Sequence, residues 1–273
     1  MLGKYVAQVR AKSPLVHNIT NYVTVNDVAN AILAVGASPI MSDEPADVED
    51  ITSICDGLNL NIGTLRMRSI EGMRRAGARA RELGHAILLD PVGAGASGLR
   101  TQTATELLDT VHPTVVRGNV SEIKALVLGS TDTRGVDASA ADAVTDDNLD
   151  QMVAFIESFA ASTGATVAIT GAIDLVADAD RCYVIRNGRP EMSSITGTGC
   201  MPSVISTAFA AANPDDVTSA VAAAVAAMGL AGQIGCSHLA PYEGNATLRN
   251  RIIDALYHMD AATLDGGELV ELR

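Results

Sequence analysis

Residues Thr114–Val127 read TVVRGNVSEIKALV, and the pattern changes halfway. TVVRG (Thr114–Gly118) is a short apolar, β-branched run, SEIKALV (Ser121–Val127) has helical spacing, and the polar turn RGNVSE (Arg117–Glu122) joins them. A buried strand that feeds directly into a helix is the repeating unit of a parallel sheet, because parallel neighbours need a long crossover. The same unit recurs on both sides. GASPIM (Gly36–Met41), GLNLNI (Gly57–Ile62), AILLD (Ala86–Asp90) and TVAIT (Thr166–Thr170) read as buried strands. SIEGMRRAGARARELG (Ser69–Gly84) and LDQMVAFIESFAASTG (Leu149–Gly164) read as helices between them. The alternation predicts an α/β fold with a mostly parallel sheet and helices on both faces.

YVIRNGRPE (Tyr183–Glu191) breaks the pattern. Its Asn187-Gly188 pair between short runs predicts an antiparallel hairpin at one edge of the sheet. Beyond Met201 the chain reads as mostly helix, interrupted at ANPDD (Ala212–Asp216). No repeat or low-complexity linker divides the 273 residues, so residues 1–273 are read as a single domain.

Composition narrows the function. Hydrophobic residues make up 48% of the chain and Trp is absent, so a large core is built from Ala, Val, Leu and Ile. A net charge of -13 argues against a nucleic-acid partner, which needs a basic footprint. It also fits, without requiring, a high-salt adaptation. Cys55, Cys182, Cys200 and Cys236 lack metal-ligand spacing and point to a reduced, cytoplasmic protein. The N-terminus has no signal-like apolar core. Ser219–Ile234 is apolar but short and Ala-rich, which predicts a buried helix and no membrane partner.

Several strands end in polar clusters: Met41-Ser42-Asp43-Glu44, Asn61-Ile62-Gly63-Thr64, Asp90-Pro91-Val92-Gly93, Arg117-Gly118-Asn119 and Thr170-Gly171. In an open parallel sheet these ends share one crevice, where ligands bind. GTGC (Gly197–Cys200) precedes a helix, and free N–H groups at a helix start suit an anion. Alone, so short a glycine motif reads better as an ordinary Gly-rich turn. Arg117 can fork onto a phosphate, and Glu122 can hold Mg²⁺ through water. Ser121 or Asn119 as helix cap, with Glu122 as a first-turn acid, is the structural alternative. Asp90 is a second acid at a strand end, and also a candidate turn cap. Asp90 and Glu122 beside an anion hole fit metal-assisted phosphoryl transfer. His17 reads as a structural hydrogen-bonder, and no Ser-His-Asp order supports hydrolysis.

HNITNYVTVNDVAN (His17–Asn30), MSDEPADVED (Met41–Asp50), LNLNIGTL (Leu58–Leu65), LLDPVGAGAS (Leu88–Ser97), RGNVSEI (Arg117–Ile123) and ITGTGC (Ile195–Cys200) run the length of the chain. In order and spacing they resemble the hydroxyethylthiazole kinases of thiamine biosynthesis and salvage. The resemblance implies a ribokinase-like three-layer sandwich, with NVSE (Asn119–Glu122) similar to that superfamily's magnesium motif. It implies ATP- and Mg²⁺-dependent phosphorylation of the primary hydroxyl of 4-methyl-5-(2-hydroxyethyl)thiazole. Carried over by position, Met41, Gly197 and Asn21 contact the thiazole. Arg117, Thr170 and Asn119 contact ATP, and Asp90 and Glu122 serve the metal. Gly197, Thr198, Gly199 and Cys200 form the catalytic turn. Related ribokinase-like enzymes place an Asp base where this chain has Cys200. A thiolate at a helix start has a lowered pKa, so Cys200 is expected to act as a modest base or a positioning group. The family's usual homotrimer, with the site at a subunit boundary, is implied as well. Other ribokinase-like kinases, acting on a phosphomethylpyrimidine or a sugar, a dehydratase of the same fold, and a non-catalytic thiamine-precursor-binding protein are the competing readings.

Overall fold

The computed structural model describes residues 1–128 and 143–273. Nine strands among them form one sheet: β1 (Leu15–Ile19), β2 (Ser38–Met41), β3 (Gly57–Asn61), β4 (Ala86–Asp90), β5 (Val115–Gly118), β6 (Thr166–Ile169), β7 (Asp174–Ala177), β8 (Cys182–Ile185) and β9 (Val270–Leu272). The order is β2-β1-β3-β4-β5-β6-β7-β8-β9, parallel from β2 to β6 and antiparallel from β6 to β9. The chain reverses its direction of travel across the sheet between β1 and β3. Such a switch point opens a crevice at the carboxyl ends of the strands.

The central strands are buried at every position, as expected of a sheet covered on both faces. Alternate residues feed two separate cores. Val16, Leu88, Val115, Ala168 and Val176 face one core, with α1 (Gly3–Lys12), α2 (Val25–Ala34), α8 (Cys200–Ala212), α9 (Val217–Ser237), α10 (Asn245–His258) and α11 (Ala261–Gly267). Ile19, Leu89, Val116, Val167 and Leu175 face the other, with α3 (Val48–Ile54), α4 (Met67–Leu83), α5 (Gly98–Val111), α6 (Val120–Leu128) and α7 (Leu149–Thr163). The three layers are those expected. The apolar stretch Ser219–Ile234 lies within α9. That helix is long and apolar enough to cross a membrane by length and composition, but residues Thr218 to Gly232 are buried in the first core.

Besides β2, read as a buried strand but found as a partly exposed edge strand, two features differ from the sequence reading. The antiparallel edge is present, but its β7–β8 turn is Asp178–Arg181, where Asp178 N–H reaches Arg181 O at 3.2 Å. Asn187 instead docks the C-terminus: its amide donates to Gly267 O (2.9 Å) and accepts from Leu269 N–H (2.7 Å). β9 then adds to β8. The second feature is β1, which His17 and Asn18 disguise. His17 is buried and its ring nitrogens meet Thr52 Oγ1 and the Ser42 carbonyl, each at 2.9 Å. It is the structural hydrogen-bonder expected, and it pins the loop that follows Met41.

Candidate active site

Asn61, Asp90 and Arg117 end neighbouring strands on the face toward α8, with Asn61 and Asp90 paired in register. Asp90 is completely buried, and its Oδ2 accepts from Asn61 Nδ2 and Ser203 Oγ, both at 2.7 Å. Arg117 Nη1 lies 3.9 Å from the same oxygen. Burial raises the Asp90 pKa against the pull of Arg117, Ser203 and Asn61. Among the described residues, Asp90 Oδ1 and Arg117 Nε are buried without a hydrogen-bond partner. An orphan carboxylate oxygen and an orphan guanidinium N–H on two side chains that approach to 3.9 Å are groups that suit a cation and an anion.

Arg117 ties the cluster to two neighbours. Its guanidinium donates to the Gly199 carbonyl and to Thr170 Oγ1. Thr170 itself is held by its N–H to Gly118 O at 3.0 Å. The turn after Thr170 is closed by Asp174, whose Oδ1 accepts from Gly171 N–H at 2.7 Å. Asp174 is buried, which pushes its pKa up to about 7.

The turn Asn119–Glu122 closes upon itself. Asn119 Oδ1 accepts the Glu122 N–H and Glu122 Oε2 accepts the Asn119 N–H, both at 2.8 Å. This is the reciprocal box that caps a helix start. Glu122 Oε1 accepts a further N–H from Gly93 at 2.9 Å, which fastens the loop after Asp90. Both carboxylate oxygens therefore already hold backbone donors. Burial, and then the nearby Asp90 charge, push the Glu122 pKa up to about 7.

The start of α8 is built differently. Its first residue is Cys200, its N-cap is Gly199, and no side chain caps it among the described residues. Gly197 has φ +100°, a left-handed conformation that favours glycine, and its carbonyl accepts Met201 N–H at 2.8 Å. The Thr198 hydroxyl is taken up by the turn itself, donating to the Met192 and Ile195 carbonyls at 3.0 Å each. Cys200 is buried, and Asn61 Nδ2 lies 3.4 Å from its sulfur. Burial and the Asp90 charge raise the thiol pKa, although hydrogen bonds from Thr24 and Asn61 and the charge of Arg117 oppose them. The lowered pKa expected from the helix start alone is therefore corrected: desolvation outweighs the helix terminus here.

Asn21 enters through Gly63. A Cβ on Gly63 would stand 2.6 Å from Asn21 Nδ2 and 2.9 Å from Asn61 Oδ1, so glycine lets these two side chains close in where the loops after β1 and β3 meet. Gly197 lies beside Thr24 and Asp27 of the same N-terminal motif. Met41 ends β2, paired with Asn18 of β1, and packs partly buried against the α8-side core. It stands two strands from Asn61, on the far side of the crevice from Thr170.

Four residues escaped the sequence reading as individual site members. Asn61 and Ser203 hold Asp90, and Asp174 closes the Thr170 turn. Arg100 donates to the carbonyls of Ile62 (3.3 Å), Gly63 (2.9 Å) and Val92 (2.8 Å), which clips the loops after β3 and β4 together. Their partners are far away in the sequence, and only Asn61 lay in a strand-end cluster. Two surface clefts, of about 220 Å³ beside Arg189 and Cys236 and about 330 Å³ beside His238 and Arg251, include none of these residues.

The arrangement is matched by known proteins. A profile of the Hydroxyethylthiazole kinase family matches residues 6–262. A hydroxyethylthiazole kinase of Clostridium acetobutylicum is 53% identical over 265 residues, 97% of each chain. The solved structure of a hydroxyethylthiazole kinase protein from Pyrococcus horikoshii superposes with a TM-score of 0.88 at 32% identity, covering 100% of this chain and 98% of that one. A Staphylococcus aureus pyridoxal kinase in complex with AMP-PCP superposes with a TM-score of 0.63 at 16% identity, covering 95% and 98%, a likeness of fold alone. The fold is the ribokinase-like one expected, and the chain belongs to the hydroxyethylthiazole kinase family.

Proposed function

We propose that this chain transfers the γ-phosphoryl group of ATP to the primary hydroxyl of 4-methyl-5-(2-hydroxyethyl)thiazole. The observation that carries the reading is the meeting of an uncapped helix start, at Gly199 and Cys200, with the buried Asp90 and Arg117. Donors for a phosphoryl group and an acid for its cation share one crevice, within a family of this kinase activity.

Mg²⁺ fits the donor set in a particular way. No group of three or more His, Cys, Asp or Glu able to hold a metal occurs among the described residues. Mg²⁺ characteristically keeps several waters and takes one or two carboxylates plus phosphate oxygens. Asp90, with its unpartnered Oδ1, would hold it, and Glu122 would add charge from behind or through water. Bound there, the ion would neutralise charge on the phosphates. It would also stabilise two buried carboxylates that otherwise resist ionisation together.

The chain's own groups then divide the work. Arg117, Thr170 and Asn119 line the nucleotide side. Asn21, Met41 and Gly197 line the thiazole side. The backbone from Gly197 to Cys200 receives charge that develops on the transferred group. Cys200, with its raised pKa, acts mainly by positioning the substrate hydroxyl. The attacking oxygen loses its proton late, as a loose transition state allows, to an oxygen of the transferred phosphoryl group or to water.

Residues 1–273 are read as one catalytic domain. The protein is proposed to work in the cytoplasm as a homotrimer with the site at a subunit boundary. The exposed Tyr22 (62%), Val23 (63%) and Met67 (72%) near the Asn21 loop support that placement. Light scattering on the purified protein reads the assembly. Incubation with MgATP and the thiazole alcohol, followed by mass analysis, tests the reaction. Phosphorylation of a phosphomethylpyrimidine or sugar in preference to the thiazole would redirect the reading, and binding without turnover would refute catalysis.

A further inference from the structure

Asn61 ends β3 and is buried. Its amide makes three contacts. Nδ2 donates to Asp90 Oδ2 at 2.7 Å and to Cys200 Sγ at 3.4 Å, and Oδ1 accepts Gly63 N–H at 2.9 Å. The amide orientation follows from this network. Turned over, it would set its oxygen against the Asp90 carboxylate and its NH₂ against the Gly63 N–H.

The sulfur it reaches opens α8, and Ser203, one turn further along the helix, donates to the same Asp90 oxygen at 2.7 Å. Loss of the Asn61 amide would leave Asp90 Oδ2 with Ser203 and the Arg117 charge. The sulfur would lose the donor that the end of β3 supplies. Asn61 is thus the sheet's direct hold on the Cys200 side chain. A thiol that accepts at one side directs its own hydrogen elsewhere, so this contact also sets where the S–H points. The Asn61 oxygen and Asn21 both crowd Gly63, which puts the same residue against the loop that lines the thiazole pocket.

We infer that Asn61 is a positioning residue for phosphoryl transfer, acting through Cys200: it fixes the sulfur against the attacking hydroxyl. The inference rests on the reaction proposed above and adds to it a residue and the route by which it acts.

A double-mutant cycle tests it, using the full-length chain with MgATP and the thiazole alcohol. Asn61→Ala is expected to lower kcat about 10- to 100-fold, the usual loss when the partner of a site residue is removed, with both KM values changed less than about threefold. In a Cys200→Ala background the same replacement is expected to cost less than about threefold, because the group it acts through is gone. Asn61→Asp keeps the Gly63 contact but loses the donors and adds charge beside Asp90, so it should be no better than Asn61→Ala. Should Asn61→Ala not fold, Asn61→Ser, which keeps a donor, runs the same cycle. Equal losses in both backgrounds would overturn the inference, since Asn61 would then act through Asp90 or packing. So would a silent Cys200→Ala, or an Asn61→Ala protein with unchanged kcat. If the unaltered chain fails to turn over the thiazole alcohol, the proposed reaction falls and takes this inference with it. Turnover with equal losses overturns the inference alone.

Discussion

Two helices begin at the same crevice and begin in opposite ways. At the start of α6, Asn119 and Glu122 satisfy each other's backbone N–H groups, and Glu122 takes a third N–H from Gly93. At the start of α8 the cap position is Gly199 and no described side chain fills it. Arg117 binds the Gly199 carbonyl rather than the N–H groups of that turn. At α8 an anion meets no competing side-chain acceptor among the described residues, although the Met201 N–H is already taken by the Gly197 carbonyl and Pro202 has none, whereas at α6 it meets competing carboxylate oxygens. The motif that most resembles a metal site is thus a clamp of three backbone donors, while the plainer glycine turn carries no described side-chain cap.

The largest effect that would sharpen this contrast is at Cys200. Cys200→Ala should lower turnover by about 10- to 1,000-fold, up to the range of a general base, with thiazole binding kept. Cys200→Asp should be active, because a carboxylate supplies a proton acceptor at this place. Full activity of the Ala protein would make Cys200 a packing residue. Arg117→Lys comes next. A lysine keeps the charge but cannot hold Gly199 O and Thr170 Oγ1 together, so kcat/KM for ATP should fall about 10- to 100-fold. Unchanged ATP kinetics would break the link between Arg117 and the nucleotide.

Glu122→Gln should do less to the chemistry. Its amide can accept at only one atom, so one of the two backbone donors loses its acceptor, at a cost of about 1–3 kcal/mol in stability. Turnover at saturating Mg²⁺ should fall about tenfold or less, the lower end for a group acting at one remove from the metal. An unaltered melting temperature would remove the clamp from the account, and unchanged turnover would remove the metal role. The smallest effect is a pH dependence at Asp174. Its folded pKa, raised to about 7, lies above the ordinary carboxyl value, so the native state holds the proton more tightly than the unfolded chain. That stability is present in full below the ordinary carboxyl pKa and is lost as pH rises through about 7. Asp174→Asn keeps the Gly171 contact but removes the titration. Its melting temperature should fall less between pH 5 and pH 8 than that of the unaltered chain, by a few degrees. Parallel curves would show that Asp174 does not titrate there.

Much of this was legible beforehand for a physical reason. Strands buried on both faces are continuous apolar runs, so β3 to β6 stand out, and the polar residues at their ends mark the crevice. β1 stayed hidden because His17 carries a buried polar pair in the middle of the run. Asn187-Gly188 looked like a hairpin turn because that signal is local. The contacts Asn187 makes reach Gly267 and Leu269, near the C-terminus. The same distinction separates the site residues. Asp90, Arg117 and Cys200 announce themselves at element ends. Arg100 and Asp174 act only through the folded arrangement. The Cys200 pKa could not be read from a helix start, since the burial and the Asp90 charge that raise it come from tertiary structure.

The central claim is that the open start of α8 is where the phosphoryl group is received, and Gly199 gives the most direct access to it. Gly199 has helical φ (-78°), and a Cβ there would meet nothing within 4 Å, so a side chain fits without strain. Gly199→Asp would place a carboxylate at the mouth of α8, where it would repel a phosphoryl group, and Gly199→Asn would add the same shape without the charge. The measurement is steady-state turnover of the thiazole alcohol with MgATP, alongside the melting temperature of each protein. The account predicts that both variants melt no lower than the unaltered chain. It also predicts that Gly199→Asp loses at least about a hundredfold in turnover, the scale of a lost oxyanion site, and Gly199→Asn markedly less. A folded Gly199→Asp protein that turns over within a few-fold of the unaltered chain would contradict it.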